Sequence, residues 1–395
     1  MPFRLYNKVQ NYAWGGIVFI PNLIGVENTE NKPFAELWMG THHRGESEIQ
    51  VGKQRLPLSQ FIAENPIDRI GQATADKFDN KLPYLFKVLA VKKMLSIQCH
   101  PTKKAAEIGF AYENKIGIPL TAKNRNYKDD NHKPEVMVAL TEFWLLHGFK
   151  SIQGIEEVLN TVPEFEFLKA SFEEKDIFHL YKTIMELPQA QVNEILEPLK
   201  VRLNAQKNIP KLSADYWAKL GFEQHTHNGN LDKGIFSVYL YNLLKLEKGQ
   251  GLYQAANLPH AYLEGVNIEL MANSDNVLRG GLTFKHVDVP ELLKNLNFEG
   301  ITPAILEGTQ ISKNERVYKT IAPDFEVSCV SIKAGENYQN RNDNAPEIFI
   351  VTDGELTVNE ESYKKGESFF INAGKTYDFN TKNIATLYKA TVPFD

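Results

Sequence analysis

Four side chains, Gln98, His100, Glu135 and His260, offer two imidazole nitrogens and two oxygens, a donor set able to hold a divalent metal ion. Gln98 and His100 are two residues apart, so on a β-strand they share a face, with Ser96 as its third polar member. Leu95, Ile97 and Cys99 take the opposite face, toward a core. Cys99, tempting as a ligand, is therefore expected away from the site. Glu135 stands at the entrance of the strand-like run 136–140, where a carboxylate can point into the same cavity. The rival explanation is a group of buried hydrogen-bonding residues, and spacing alone does not separate the two. The set suits zinc best, with manganese, cobalt or nickel compatible. One carboxylate among four ligands leaves a divalent ion roughly one net positive charge, suited to Lewis-acid work beside an anionic substrate.

The elements around these residues must place them. Two apolar runs, 83–91 and 94–100, are separated only by Lys92-Lys93. A two-residue hairpin there puts Val91 opposite Met94, Lys87 opposite Gln98 and Leu85 opposite His100. Lys87 then joins Ser96, Gln98 and His100 on one face. An ammonium in an apolar strand is costly to bury without a partner, and a bound anion would supply one. Pro101-Thr102 opens a helix reaching about residue 115, with Thr102 as its N-cap. Upstream, 36–45 reads as a short strand and a polar loop containing His42 and His43. Adjacent strand residues face opposite ways, so a surface or hydrogen-bonding role is expected for this pair. Residues 58–78 have helical spacing, with Pro66 as a break.

Ile177, Leu180, Tyr181 and Ile184 form a helical stripe within an all-helical insertion at 151–220, to whose packing His179 is assigned. His225 and His227 share a polar loop without another ligand type, so a metal role is not expected of them. Strands resume at 235–246 and 266–271. Beyond residue 303 short strand-like runs follow one another, with Asp353-Gly354 as a hairpin turn between two of them. This last domain lies after the final histidine, His286, so it offers a metal no imidazole and is expected to be structural. The fold class is mainly β with a helical insertion. Residues 1–150 and 221–300 form a discontinuous β-domain, 151–220 the helical insert, and 301–395 a β-sandwich.

At 395 residues the chain is long enough for two or three domains. A net charge of −5 argues against nucleic-acid and membrane-surface binding and leaves small molecules open. The first ten residues lack the apolar core of a signal peptide, and no apolar run approaches about 18 residues. Two cysteines far apart, Cys99 and Cys329, imply no disulfide framework, and a cytoplasmic protein is expected. The chain has no Gly-X-X-X-X-Gly-Lys-Ser/Thr run, so a P-loop nucleotide site is not expected.

Several motifs, in order, carry a resemblance to a known family. Gln98-Cys99-His100-Pro101, His132-Lys133-Pro134-Glu135, Pro259-His260-Ala261-Tyr262 and Asn276-Val277-Leu278-Arg279-Gly280-Gly281 together resemble the type I mannose-6-phosphate isomerases, also called phosphomannose isomerases. Tyr12-Ala13-Trp14-Gly15 and Glu36-Leu37-Trp38-Met39-Gly40 match that family as well. The matches run to about residue 288; the helical insertion and C-terminal β-domain fit the family less specifically. The resemblance implies a cupin-type β-barrel or jelly-roll catalytic domain, followed by a cupin-like β-domain. It implies one zinc ion per chain and interconversion of mannose 6-phosphate and fructose 6-phosphate. It further implies that Gln98, His100, Glu135 and His260 are the ligands and that Arg279 lies over the sugar as a catalytic residue. His132, Lys133, Glu269, Asp275, Tyr262 and Lys285 sit where the family lines its pocket.

Aldose–ketose isomerisation removes a proton beside a carbonyl and returns it to the neighbouring carbon through an enediol, so a base must reach both carbons. Lys133, His132, Glu269 and a metal-bound water are the candidates, with Arg279 and the metal stabilising the enediolate. Bland roles stand beside these: Glu269 and Asp275 as partners that orient lysines or arginines, Lys133 as a brace for Glu135, Lys285 as a surface lysine. Ser96, Lys87 and Lys285 are expected at the phosphate, with Asp275 and Tyr262 as further substrate contacts. Two other functions compete: a non-catalytic metal-binding cupin that senses a sugar phosphate, and a cupin dioxygenase, which Gln98 in place of a histidine disfavours. The expected partner is a hexose 6-phosphate, without nucleic acid or membrane, and the expected state a monomer, with a homodimer left open.

Overall fold

The computed structural model describes residues 2–340 and 344–393. One strand organises the part that carries the candidate ligands. His260–Ala272 is thirteen residues long and pairs along its length with four other strands. Its first residues lie between Phe143–Phe149 and the short strand Ile97–Cys99, and its second half between Tyr84–Val91 and Glu135–Ala139. It turns from one set of partners to the other at Gly265, whose φ of 129° is open to glycine and closed to most side chains. A Cβ there would lie 2.6 Å from the Glu142 carbonyl oxygen. Glu36–Gly40 and Lys8–Gln10 extend one edge, Gly251–Gln254 and Ile305–Leu306 the other. With Tyr241–Leu246 and Leu278–Gly281 the sheet has eleven strands, and among the described residues they do not close a hydrogen-bonded ring. The class is mainly β with helices, as expected, but the expected barrel is an open one.

The Lys92-Lys93 hairpin does not form. Tyr84–Val91 pairs with His260–Ala272 and with Glu36–Gly40, placing Lys87 opposite Glu269 and Trp38. Ile97–Cys99 pairs instead with His260 and with Leu278–Gly281. The turn lacks a residue suited to positive φ, and long-range partners claim both edges of each run. Alternation does hold inside the short strand: Ile97 and Cys99 enter one core cluster, while Gln98 is half-buried on the other face. Leu95 precedes the strand and packs on a different cluster.

The helical part reaches further than expected. Helices run from Ile152–Thr161 through Ile177–Glu186, Gln189–Ala205 and Ala214–His225 to Gly234–Leu240, so 235–240 is helix and not strand. All seven residues of that last helix are buried, and a short, wholly buried run carries no period to separate the two states. The stripe Ile177, Leu180, Tyr181 and Ile184 is buried as read, whereas His179 is exposed and outside the packing. Thr102 caps Lys103–Lys115, its Oγ1 accepting from the Ala105 N–H at 3.2 Å. Pro66 opens a separate short helix, Pro66–Ile70, after Leu58–Glu64.

A nine-stranded sheet holds Glu315–Tyr318, Glu326–Ile332, Ala385–Thr391, Glu347–Asp353 and Ser368–Ile371, but also the chain's first strand, Phe3–Tyr6, and the pair Glu48–Val51 and Gln54–Pro57. The division expected at residue 301 thus does not follow the sheets. A cluster including Tyr84, Phe86, Ile268, Phe325, Ile348 and Phe370 forms one core across both. Asp353-Gly354 is not a hairpin: Glu347–Asp353 stays in the nine-stranded sheet, while Glu355–Val358 pairs with Glu361–Lys364 in a four-stranded one. Gly354, at φ 76°, lets the chain change sheets.

Candidate metal centre

Glu135 begins the strand Glu135–Ala139, His260 begins His260–Ala272, and His100 follows Ile97–Cys99 directly. Glu135 Oε1 lies 3.3 Å from His100 Nε2 and Oε2 lies 3.4 Å from His260 Nε2. All three residues are buried, and together they form a group able to hold a metal ion. Gln98 is the register partner of His260 on the adjacent strand, and so stands on its face.

The hydrogen bonds decide what these nitrogens can do. His100 Nδ1 lies 2.8 Å from the Asn276 carbonyl oxygen, and His260 Nδ1 3.2 Å from that of Leu258. A carbonyl only accepts, so both Nδ1 atoms carry the hydrogen, and in a neutral ring Nε2 is the atom that turns a lone pair toward the carboxylate. His100 Nε2 is buried without a hydrogen-bond partner. Burial foremost, with the Lys133 ammonium, pushes the His100 pKa down to about 4, so the ring is neutral near pH 7. Burial alone would raise the Glu135 carboxyl, but the Lys133 ammonium beside it holds it well below the usual carboxylate range. Two lone pairs facing one carboxylate call for a cation between them. Bonds of about 2.0–2.1 Å to a tetrahedral zinc place its ligands about 3.4 Å apart, matching both separations. The residues present fit zinc.

Asn276 ties this centre to its surroundings. Its side-chain amide donates to the carbonyls of Asp129 and Asn131, both at 2.8 Å, and its Oδ1 accepts from the Lys128 N–H at 2.7 Å. The loop 128–131 and the His100 imidazole are thereby fixed to one residue. It stood inside a quoted motif without a role, and nothing in its type pointed to one.

Lys133 Nζ is 3.0 Å from Glu135 Oε1, the bracing geometry. Lys87 Nζ is 2.8 Å from Glu269 Oε1 and 3.7 Å from Glu36 Oε2, so these carboxylates, not an anion, meet its charge. Burial would lower the Lys87 pKa, but Glu269, Glu36 and Glu135 together raise it and keep the ammonium charged. Burial pushes Glu269 up, partly offset by Lys87. Tyr262 is buried, its hydroxyl 2.9 Å from Gln254 Nε2. Gln254 is in turn the register partner of Glu135. Glu36 and Gln254 were missed because Lys87 and Glu135, beside which they stand, come from other strands remote in sequence.

A cavity of about 1580 Å³ is lined by Arg44, Lys128, His132, Asp275, Arg279 and Lys285, among others. None of the four ligand candidates lines it, nor do Ser96, Lys87, Lys133, Glu269 or Tyr262. His132, three residues before Glu135, and Arg279, the register partner of Gln98, connect cavity and centre. Burial lowers the Arg279 pKa, and burial together with Arg279 and Arg44 lowers that of Lys285. Ser96 is half-buried just ahead of Ile97–Cys99.

His42, His43 and Asp275 form a second group of ligand types on the cavity wall. The two histidines lie in a loop, not a strand; their rings stack at 4.6 Å, and both face Asp275, at 3.5 and 3.8 Å. Here the hydrogen bonding runs the other way. The Arg44 N–H donates to His42 Nδ1 at 3.3 Å, so Nε2 holds the hydrogen and gives it to Asp275. Arg44 Nη1 is also 3.2 Å from Asp275 Oδ1, which makes this a hydrogen-bonded unit and not a cation site. His225 and His227 lie 5.9 and 4.9 Å from the Phe284 ring and join no such group among the described residues.

A model of the catalytic domain of type I phosphomannose isomerase matches residues 2–152. The mannose-6-phosphate isomerase of Salmonella typhimurium is 36% identical over 388 residues, 94% of this chain and 95% of its own. The chain belongs to the type I phosphomannose isomerase family. A family member from Arabidopsis thaliana, mannose-6-phosphate isomerase 1, is 32% identical over 98% of this chain and 93% of its own. A zinc-bound structure of mannose 6-phosphate isomerase superposes over the whole of both chains, with a TM-score of 0.89 at 34% identity. A variant of the Salmonella typhimurium enzyme does so with a TM-score of 0.90.

Proposed function

We infer that the chain is a metal-dependent mannose-6-phosphate isomerase, with one zinc ion held by Gln98, His100, Glu135 and His260. The observation that carries this is the pair of imidazoles whose Nε2 lone pairs face the two oxygens of Glu135 at 3.3 and 3.4 Å. When bound, the ion supplies Lewis acidity to the sugar oxygens at the reacting carbons.

The chain's own residues do the rest. Of the three side chains proposed as base, His132 alone lines the cavity, while Lys133 and Glu269 are engaged with Glu135 and Lys87. We assign to His132 the transfer of the proton between the two carbons of the enediol. Arg279 stabilises the oxygen charge that develops as that proton leaves. Lys285, on the cavity wall, takes the phosphate; Ser96, which does not line the cavity, and Lys87, whose charge is already met, are moved out of that set. Lys87 and Glu269 instead shape the buried wall, with Tyr262, and Asp275 orients Arg44 at the cavity.

All four ligands come from one chain, which favours an active monomer; light scattering of the active species checks this. Among the described residues no helix is long and apolar enough to cross a membrane. The two cysteines are free thiols, which supports the cytoplasm as the compartment, and cell fractionation tests it.

Rigorously metal-free protein should be inactive in a coupled mannose 6-phosphate assay and regain its rate on adding one equivalent of zinc. Full activity without metal would overturn the reading. A protein that binds metal and sugar phosphate without turnover would be the sensor instead, and Arg279→Ala with binding kept and rate lost would count against that.

A further inference from the structure

His132 and Asp324 lie 192 residues apart in sequence, yet His132 Nε2 is 2.9 Å from Asp324 Oδ2. Asp324 stands between Glu315–Tyr318 and Glu326–Ile332, two strands of the nine-stranded sheet. Its neighbours Ala322 and Phe325 are buried in the core shared by both sheets, which pins the connection in place. Asp324 itself is only 4% exposed, and a carboxylate so buried needs a donor. An ionised carboxylate only accepts, so His132 Nε2 carries the hydrogen and Nδ1 is the nitrogen left to take up a proton. Both residues line the cavity that also holds Arg279.

We propose that Asp324 is a positioning residue that reaches over from the nine-stranded sheet to fix the tautomer and ring plane of His132, so that proton transfer runs through Nδ1. The logic is that of a histidine held by a buried aspartate in hydrolytic triads, where the carboxylate orients the base and is not itself protonated. The proposal rests on the isomerase reading and on the role given there to His132. It gives the C-terminal β-domain, expected only to be structural, a part in the chemistry.

The test uses full-length, zinc-loaded protein carrying Asp324→Ala, Asp324→Asn or Asp324→Glu, alone and with His132→Ala. Asp324→Ala should lower kcat about 10- to 100-fold with KM within about twofold of the parent, and Asp324→Glu should restore part of the rate. In the His132→Ala background, Asp324→Ala should cause no further loss. Side-chain 15N spectra should show hydrogen on His132 Nε2 in the parent and an altered tautomer balance in Asp324→Asn. An unchanged kcat in Asp324→Ala, or the same fold-loss in both backgrounds, would overturn the proposal. A parent protein unable to isomerise mannose 6-phosphate would remove the functional reading instead, and the 15N spectra would still decide whether Asp324 sets the tautomer.

Discussion

The Lys87 ammonium stands 2.8 Å from the Glu269 carboxylate, on register-paired positions of two buried strands. Each charge is tolerated in the interior because of the other, with Glu36 as a third member. Replacing Lys87 by Met should destabilise the fold by roughly 3–5 kcal/mol, as expected when one partner of a buried pair is removed. Adding Glu269→Leu should recover part of that stability, since Glu36 still faces the gap, but none of the activity. Denaturant melts of the single and double variants check this; a double variant no more stable than Lys87→Met would contradict it.

Asn276 joins the His100 ring to the loop 128–131. Asn276→Ala keeps the carbonyl that orients His100 but frees the loop, so zinc affinity should fall about 10- to 100-fold, as for other partners that orient ligands. Competition with a chromophoric chelator measures it. An unchanged affinity would show that the backbone holds His100 without help.

Asp232 bonds three backbone N–H groups, of Gly234 and Leu282 at 2.7 Å and of Thr283 at 3.1 Å. Leu282 is buried with a φ of 50°, so this carboxylate helps to hold a strained turn between Arg279 and Lys285. Asp232→Ala should cut kcat/KM by about tenfold or more through displacement of these two side chains, with zinc content unchanged. Asp232→Asn, whose amide oxygen still accepts, should lose less. Equal effects of the two variants would count against positioning by these bonds.

In the C-terminal domain the buried Lys389 ammonium is 2.6 Å from Glu315 and 3.3 Å from Glu347. Burial, only partly offset by Lys389, pushes the Glu347 carboxyl up to about 7. Its folded pKa is thus above its unfolded value, so between those values the folded state binds more protons and stability falls as pH rises. That loss should be complete above about pH 7 and absent below about pH 4. Measured across pH 5 to 8, the melting temperature of Glu347→Gln relative to the parent should rise with pH. A constant difference would mean that Glu347 stays ionised throughout.

Strand alternation was enough to send Cys99 to the core and to put Gln98 on the opposite face, because a period of two depends only on neighbouring residues. The helical stripe of Ile177–Glu186 and the Thr102 cap were legible for the same reason. The Lys92-Lys93 hairpin was not, since its pairing was settled by competition with His260–Ala272 and Leu278–Gly281, strands more than 160 residues away in sequence. Lys87 still reached the buried interior, by pairing with Glu269 and not with Gln98. The helix Gly234–Leu240 escaped because a wholly buried run shows no polar face.

By itself the sequence determined the types of the candidate ligands, the alternation of Gln98 and Cys99 along one short strand and the family motifs around them, all of which are local properties of the chain. Only the tertiary structure decided which ring nitrogens face Glu135. His42 and His100 are the same residue type, both beside a carboxylate, yet opposite tautomers follow from a backbone N–H in one case and a backbone carbonyl in the other. Those backbone groups are supplied by how the chain folds around each ring. No spacing of residues along the chain encodes them.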